Sequence, residues 1–250
     1  LKVETIQFQV IDGYSTTTMD NYTEGLTFNS AICDGGGSVF ERAASFNQYR
    51  YADQEMYYYA LFKYFDGEDD YFIDEYARDW HGYLAYIKPL LLVFNYDGIR
   101  ILNLGIQLIS CISIIGLLIK KGKGAYIPAF LIMLISIAAP VIFMSMEYSA
   151  IFNLILFVVI YILIKGNVVI EKTRLRLVFV IIGVILAYVD VLTFPILTLG
   201  VPMVLIYYLY EDTNSKEDLF SFITRCVWYW GLGYGAMWAM KWVIASIFTE

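Results

Sequence analysis

Residues 98–119 read GIRILNLGIQLISCISIIGLLI and form an apolar run in which Arg100 is the single charged residue. A helix needs about 20 such residues to cross the ~30 Å hydrocarbon layer of a bilayer. The rest of the chain agrees, because 59 % of all residues are hydrophobic, only 16 % are charged and the mean hydropathy is +0.61. Soluble globular domains are much less apolar. The sequence therefore predicts an integral membrane protein.

Further apolar segments follow this run. Spans are predicted at 98–119, 125–146, 148–165, 177–192, 195–210 and 226–248. The fourth and fifth meet at Thr193 and Phe194 without a polar loop, which predicts a tight helical hairpin. The expected fold class is an all-α integral membrane protein, a polytopic helical bundle whose transmembrane region covers residues 98–250. Because the chain starts at Leu1 without Met and stops just after a span, we expect a fragment of a longer polypeptide.

Residues 1–97 have a different composition and are predicted to form a large extracytoplasmic N-terminal loop region of amphipathic helices. They hold 16 of the 24 acidic residues. They are also rich in tyrosine, notably between Tyr49 and Tyr76. That density suits a surface lying on a bilayer or a cleft that contacts sugars, and it suits a small packed core equally well.

The orientation of the spans follows from the charges of the short loops. Lysine and arginine accumulate on the cytoplasmic side of membrane proteins. Here they follow the first, third and fifth predicted spans, at Lys120, Lys121, Lys123, Lys165, Lys172, Arg174, Arg176, Lys216 and Arg225. The turns at Glu147 and Asp190 carry none. Residues 1–97, Glu147, Asp190 and Glu250 are therefore expected together on the outer face of the membrane.

Several other classes of function are disfavoured. The sequence has no phosphate-binding loop, no GxSxG elbow, no CxxC pair and no HExxH motif, and its three cysteines indicate no disulfide framework. A net charge of −7 and an acidic outer region would repel nucleic acid. The expected partners are the lipid bilayer and a ligand at its outer surface.

The most informative segment for function joins the acidic region to the first span, from Tyr76 to Asn103. It contains His81, the only histidine of the chain, directly after Arg78, Asp79 and Trp80. A short apolar helix, a Phe-Asn-Tyr-Asp-Gly turn, and then Arg and Asn at the start of the span follow. This order places charges, hydrogen-bond donors and an aromatic ring at the membrane surface.

This order resembles the end of the first outer loop in GT-C glycosyltransferases, multi-spanning enzymes that take a sugar from a polyprenyl-phosphate carrier. Many members have His-Pro-Pro-Leu where this chain has His81-Gly82-Tyr83-Leu84. The resemblance covers about a quarter of the chain. It implies sugar transfer from a polyprenyl-phosphate-linked sugar on the outer face. The membrane itself is expected to be a bacterial plasma membrane.

The resemblance also implies that an acidic residue of the first outer loop acts as base or as a metal-associated carboxylate. Asp20 is the leading candidate, Asp12 and Glu24 follow, and His81 is the second catalytic candidate. Glycosyl transfer needs a carboxylate within hydrogen-bond reach of the acceptor hydroxyl and positive charge near the departing phosphate. The alternatives are that Asp20 caps a helix running through Glu24 and that His81 is an interfacial hydrogen-bonding residue.

Other candidate substrate-binding residues are Asp79, Arg100, Asp190 and Lys241. Arg100 either binds a lipid phosphate or anchors its span at the interface. Lys241 lies within the last span, where an ammonium group is costly unless it is paired or functional. It would meet the carrier phosphate or pair with Asp190, and the alternative is that it extends outward between two tryptophans.

The sequence also offers a candidate metal-binding segment and two alternatives to a glycosyltransferase. The acidic run 66–70 offers oxygen ligands to a divalent cation, but its spacing is that of a solvated loop. The alternatives to a glycosyltransferase are a polytopic transporter or flippase, which predicts broken helices near the midplane, and a non-enzymatic assembly protein for cell-surface polysaccharide.

Overall fold

A computed structural model describes residues 21–35, 38, 41, 45–53, 57–169, 172–189, 194–210 and 219–248. This part of the chain is mostly helical, which agrees with the predicted all-α class. In chain order its elements are α1 (Asn21–Ile32), β1 (Phe46–Arg50), α2 (Tyr57–Phe65), β2 (Phe72–Tyr76), α3 (Leu84–Leu91), α4 (Tyr96–Lys120), α5 (Ile127–Ser136), α6 (Ala139–Met144), α7 (Tyr148–Val169), α8 (Lys172–Val189), α9 (Pro195–Tyr210) and α10 (Leu219–Phe248).

The elements from α1 to α3 form a small module, which we call the N-terminal module. Its two strands pair antiparallel, with Phe46 opposite Tyr76 and Arg50 opposite Phe72. The strand pair was not predicted from the sequence. A hydrophobic core joins the module to the first residues of α4 and to the turn before α7. It consists of Phe28, Phe46, Leu61, Tyr83, Ile87, Ile99 and Met146.

The tyrosines of this module pack against one another. The ring of Tyr49 stacks on Tyr64 at 4.3 Å between centroids and meets Tyr71 edge to face at 4.8 Å. Tyr49 and Tyr51 are both buried. For these side chains, the packed core suggested by the sequence is therefore the better interpretation.

Two helices of the described chain, α4 and the first 18 residues of α7, are long and apolar enough to cross a membrane. Two shorter apolar helices lie at Gly124–Ser136 and Pro195–Leu209. Helix α8 begins with three basic residues, and α10 is rich in Trp, Tyr and Gly, which are only weakly apolar. Two helices of this kind indicate association with a membrane only weakly.

The segment predicted as one span over 125–146 is divided. A single 3₁₀ turn at Gly124–Tyr126 leads into α5, and α6 follows after a break. Ala138 at the break has φ 51°, in the left-handed region. Pro140 in the first turn of α6 has no N–H to continue the preceding helix. The hydropathy of the run is continuous, so only these backbone features reveal the break.

Polar contacts and close helix approach hold the long helices together. Asn103 and Gln107 of α4 donate from their amide groups to the hydroxyl and the carbonyl oxygen of Ser149 on α7, at 2.9 and 3.2 Å. Such bonds stabilise helix pairs in an apolar environment. Helices α8 and α10 approach closely at Gly183 and Gly233, where an added Cβ would collide with the backbone of the partner helix.

Candidate functional site at the junction of module and helices

The N-terminal module contacts the helices through the segment Asp79–Gly82. The indole nitrogen of Trp80 donates to the carbonyl oxygen of Met237 on α10 at 2.9 Å. The backbone N–H of Gly82 donates to the carbonyl oxygen of Tyr188 near the end of α8 at 2.7 Å. A Cβ at Gly82 would collide with that oxygen and with the Tyr188 ring, so the close approach requires glycine.

Lys241 of α10 lies under this segment and is 1 % exposed. Its ammonium nitrogen is 5.0 Å from the centre of the Trp80 ring, a cation–π contact. The Asp79 carboxylate is close enough to interact with the same charge, and it accepts a 2.5 Å hydrogen bond from the Tyr76 hydroxyl. Lys241 is therefore enclosed by protein groups and does not extend outward along its helix.

His81 is held in an unusual conformation beside these charges. Its φ of 47° is left-handed and it is 4 % exposed. The imidazole stacks on Phe46 at 3.6 Å, and its Nδ1 lies 3.2 Å from the Tyr83 hydroxyl. Burial, and secondarily the Lys241 charge, lower the pKa of His81 to about 3. The ring is neutral at physiological pH and suits hydrogen bonding better than accepting a proton in catalysis.

A polar cavity of about 260 Å³ opens beside His81. Side chains from the N-terminal module form most of its wall, and Tyr188 of α8 contributes the remainder. The lining includes Ser30, Cys33, Asn47, Trp80, His81 and Lys88. The cavity therefore lies where the module and the apolar helices meet.

Glu24 forms a second contact between α1 and the helices. Its carboxylate accepts hydrogen bonds from the Ser145 hydroxyl at 2.7 Å, the Met146 N–H at 2.9 Å and the Tyr96 hydroxyl at 3.0 Å. It is 6 % exposed, and this burial raises its pKa above the ordinary value, although the three hydrogen bonds act in the opposite direction. All three donors come from outside the N-terminal module, so Glu24 links α1 to both long helices.

Arg100 belongs to the same contact region. It is 4 % exposed, its guanidinium is 3.6 Å from the Asp97 carboxylate, and it lies over the Tyr96 ring at 5.3 Å. The Arg100 charge also interacts electrostatically with the Glu24 carboxyl group. This enclosure favours a structural role at the junction over direct binding of a lipid phosphate.

The predicted site residues therefore divide into three groups. Asp79, His81 and Lys241 come together at the cavity side of the junction, whereas Glu24 and Arg100 meet at the start of α4. Asp12, Asp20 and Asp190 lie outside the described residues. The sequence did not single out Ser30, Asn47 or Tyr188, because small polar residues and a helical tyrosine carry no distinctive spacing.

No group of three or more His, Cys, Asp or Glu side chains capable of holding a metal ion occurs among the described residues. In the acidic run, Glu68 pairs with Lys63 at 3.1 Å, and the other acidic side chains of the run are exposed. This arrangement is that of a solvated loop.

Two apolar grooves lie among the helices. The larger, about 660 Å³, runs between α7 and α8 from Tyr161 and Arg174 to Leu154 and Ile185. The other, about 380 Å³, lies among α4, α5, α7 and α9. Among the described residues, neither lining contains an acidic side chain.

Comparisons of the chain with protein-family models, with curated proteins and with solved structures give no match. The site must therefore be interpreted from its own geometry.

Proposed function

We propose that this chain belongs to a polytopic membrane glycosyltransferase that takes a sugar from a polyprenyl-phosphate donor at the outer face of a bacterial plasma membrane. The supporting observation is that a polar cavity and an apolar groove are lined by residues less than one turn apart on α8. Ile185 lines the groove and Tyr188 lines the cavity. Residues three apart share a helix face and are separated by about 5 Å along the axis. A lipid-linked sugar has the same two parts, an apolar chain and a polar ring.

The phosphate that joins these two parts needs a positive charge. Lys241 is suitably located, because its ammonium contacts Trp80, a residue that lines the cavity. A cation in a water-poor site stabilises negative charge that develops on a leaving phosphate. In this proposal the Lys241 charge stabilises the phosphate from behind the Trp80 ring, without direct contact, and Asp79 holds Lys241 in that position.

The base of the reaction is assigned to Asp20, which directly precedes α1 in the sequence, with Asp12 as the second candidate. Glu24 is a positioning residue, since three donors already occupy its carboxylate. His81 serves as a neutral partner for a substrate hydroxyl. Asp190, which directly follows α8, is proposed as a further substrate-binding carboxylate.

The proposal is tested by measuring sugar transfer in proteoliposomes that contain the full-length protein and defined polyprenyl-phosphate sugars. Asp20→Asn is expected to lower the transfer rate by about 100-fold or more, because general-base catalysis typically contributes that much. Lys241→Met is expected to lower it by a similar factor of about 100. Lys121→Gln changes an exposed lysine at the opposite end of α4 and should leave the rate unchanged.

Removal of Lys241 alone leaves the Asp79 charge without its partner, so a double variant is needed. Asp79→Asn combined with Lys241→Met removes both charges and should keep the melting temperature near the wild-type value. Loss of transfer in this folded variant supports the assignment of Lys241. Absence of transfer by the wild type from every donor tested would favour transport or assembly instead.

One observation favours a transporter or flippase as the second candidate. The α5–α6 segment is broken at Ala138, and transporters use discontinuous helices at their substrate sites. Wild-type protein that moves a fluorescent lipid-linked saccharide across liposomes without transferring its sugar would select this alternative.

A further inference from the structure

Three buried polar atoms that have no partner among the described residues belong to residues on the wall of the polar cavity. They are the hydroxyl oxygen of Ser30, the side-chain oxygen of Asn47 and Nε2 of His81. All three residues line the same 260 Å³ space. Ser30 and His81 are buried, at 2 % and 4 % exposed.

Such atoms are unusual in folded proteins, because a buried group without a hydrogen bond destabilises the fold by about 1–3 kcal/mol. Such atoms also occur away from the cavity, at Thr27 and Gln48, but three of them belong to residues that line this one space, and this grouping points to a site completed by a bound molecule. The residues come from α1, β1 and the Asp79–Gly82 segment, so the N-terminal module itself assembles the site.

The polar atoms define the chemistry of the missing molecule. The Asn47 oxygen only accepts, the Ser30 hydroxyl both donates and accepts, and His81 Nε2 does either according to its tautomer. Hydroxyl groups satisfy all three. The rings of Trp80 and Tyr188 add aromatic surface to the same wall.

The charges near the cavity wall indicate an uncharged ligand. Lys88 is the charged side chain of the cavity wall, and the Asp34 carboxylate is close enough to oppose its effect on Cys33. Beneath Trp80, the Lys241 charge is matched by Asp79. The cavity is slightly smaller than the ~300 Å³ at which pockets for drug-sized ligands begin. We infer that this cavity is a subsite for one uncharged monosaccharide ring, bound by Ser30, Asn47 and His81. The inference deepens the proposed function and rests on it for the role of the sugar.

The test measures binding of free sugars to the full-length protein in nanodiscs by saturation-transfer NMR, without any transfer reaction. The probes are methyl glucoside, methyl galactoside, N-acetylglucosamine and glucose 1-phosphate. Ser30→Ala should weaken binding of the preferred neutral sugar by about threefold to tenfold, the equivalent of one hydrogen bond. Its melting temperature should not fall, because the wild-type hydroxyl has no protein partner. Ser113→Ala, which removes a hydroxyl bonded within α4, is the matched control.

A second measurement does not depend on Ser30. Ala85 is exposed and lines the cavity, whereas Ala52 is exposed and does not. The neutral sugar should slow thiol labelling of Ala85→Cys at least threefold and leave labelling of Ala52→Cys unchanged.

Equal binding by wild type and Ser30→Ala, together with unprotected Ala85→Cys, would overturn the subsite. Protection of Ala85→Cys by inorganic phosphate that equals or exceeds protection by every neutral sugar would also overturn it, in favour of an anion site. Either result is compatible with transfer in proteoliposomes, so failure of the subsite is distinguishable from failure of the proposed function.

Discussion

Glu24 illustrates how a single side chain can join two parts of this molecule. Its carboxylate receives three hydrogen bonds from Ser145, Met146 and Tyr96. Glu24→Ala would leave these donors buried without an acceptor, so we expect destabilisation of about 3 kcal/mol or more. Glu24→Gln keeps an acceptor oxygen for Ser145 and Met146 and should be much milder. Thermal unfolding of both variants in detergent provides the measurement, and equal melting temperatures would contradict the proposed link.

The raised pKa of Glu24 adds a dependence on pH. Because its folded-state pKa lies above the ordinary value of 4.5, its contribution is fully present below pH 4.5 and is lost as the pH rises through the folded-state pKa. The wild type should therefore lose stability as the pH rises above 4.5, and the Glu24→Gln variant should lack this loss.

His81 should produce the opposite dependence. Its pKa is lowered from 6.5 to about 3, so the stability it contributes is present above pH 6.5 and is lost as the pH falls toward 3. His81→Asn tolerates the left-handed backbone and does not titrate there. When the pH is lowered from 6.5 to 4, the melting temperature of the wild type should fall further than that of this variant. Parallel curves for the two proteins would show that His81 is not buried in its neutral form.

At the scale of single residues, the sequence identified isolated polar residues but not their partners. Lys241 and His81 stood out because one is a charge in an apolar helix and the other is the only histidine. Trp80 and Met237 are 157 positions apart, so local spacing carries no information about that contact. Glu24 was assigned to substrate binding because neighbouring residues cannot reveal that Ser145 and Met146 occupy its carboxylate.

At the scale of elements, the approach of α8 to α10 depends on two of the four glycines in these helices. An added Cβ at Gly183 would collide with the Trp230 carbonyl oxygen, and one at Gly233 with that of Val180, whereas Gly231 and Gly235 have open space. Gly183→Ala and Gly233→Ala are expected to destabilise by about 1–3 kcal/mol through overpacking. Gly231→Ala and Gly235→Ala, in the same helix, should be neutral or slightly stabilising. Melting temperatures of the four variants test this, and uniform effects would exclude close packing as the reason.

The helices were more predictable than the strands or the break. The predicted segments 98–119 and 195–210 coincide with α4 and α9 to within two residues at each end. Long apolar runs carry that signal by composition alone. The strands β1 and β2 are five residues each and pair across 21 intervening residues, so no hairpin turn signals them. The break at Ala138 depends on one backbone conformation inside an apolar run.

At the scale of the whole molecule, the junction limits how α4 and α7 can be arranged relative to a membrane. The first residues of α4 and the turn before α7 both contact Glu24, so the two helices begin at the same end of the molecule. The chain must therefore return from the end of α4 to that end through residues 124–144. As one straight helix, at ~1.5 Å per residue, this segment would span about 30 Å, which is the thickness of the hydrocarbon layer, and its break shortens that reach.

This geometry separates a polytopic arrangement from one in which only α4 and α7 cross. If the 124–144 segment crosses as well, Gly122 and Lys165 lie on the same side of the membrane. If it does not, they lie on opposite sides. Reporter fusions that end at Gly122, Glu147 and Lys165 distinguish the two cases, with green fluorescent protein active inside and alkaline phosphatase active outside. We expect cytoplasmic signals at Gly122 and Lys165, because basic residues cluster there, and a phosphatase signal at Glu147. Opposite signals at Gly122 and Lys165 would leave the α5–α6 segment on one side and would contradict the polytopic bundle that the proposed glycosyltransferase requires.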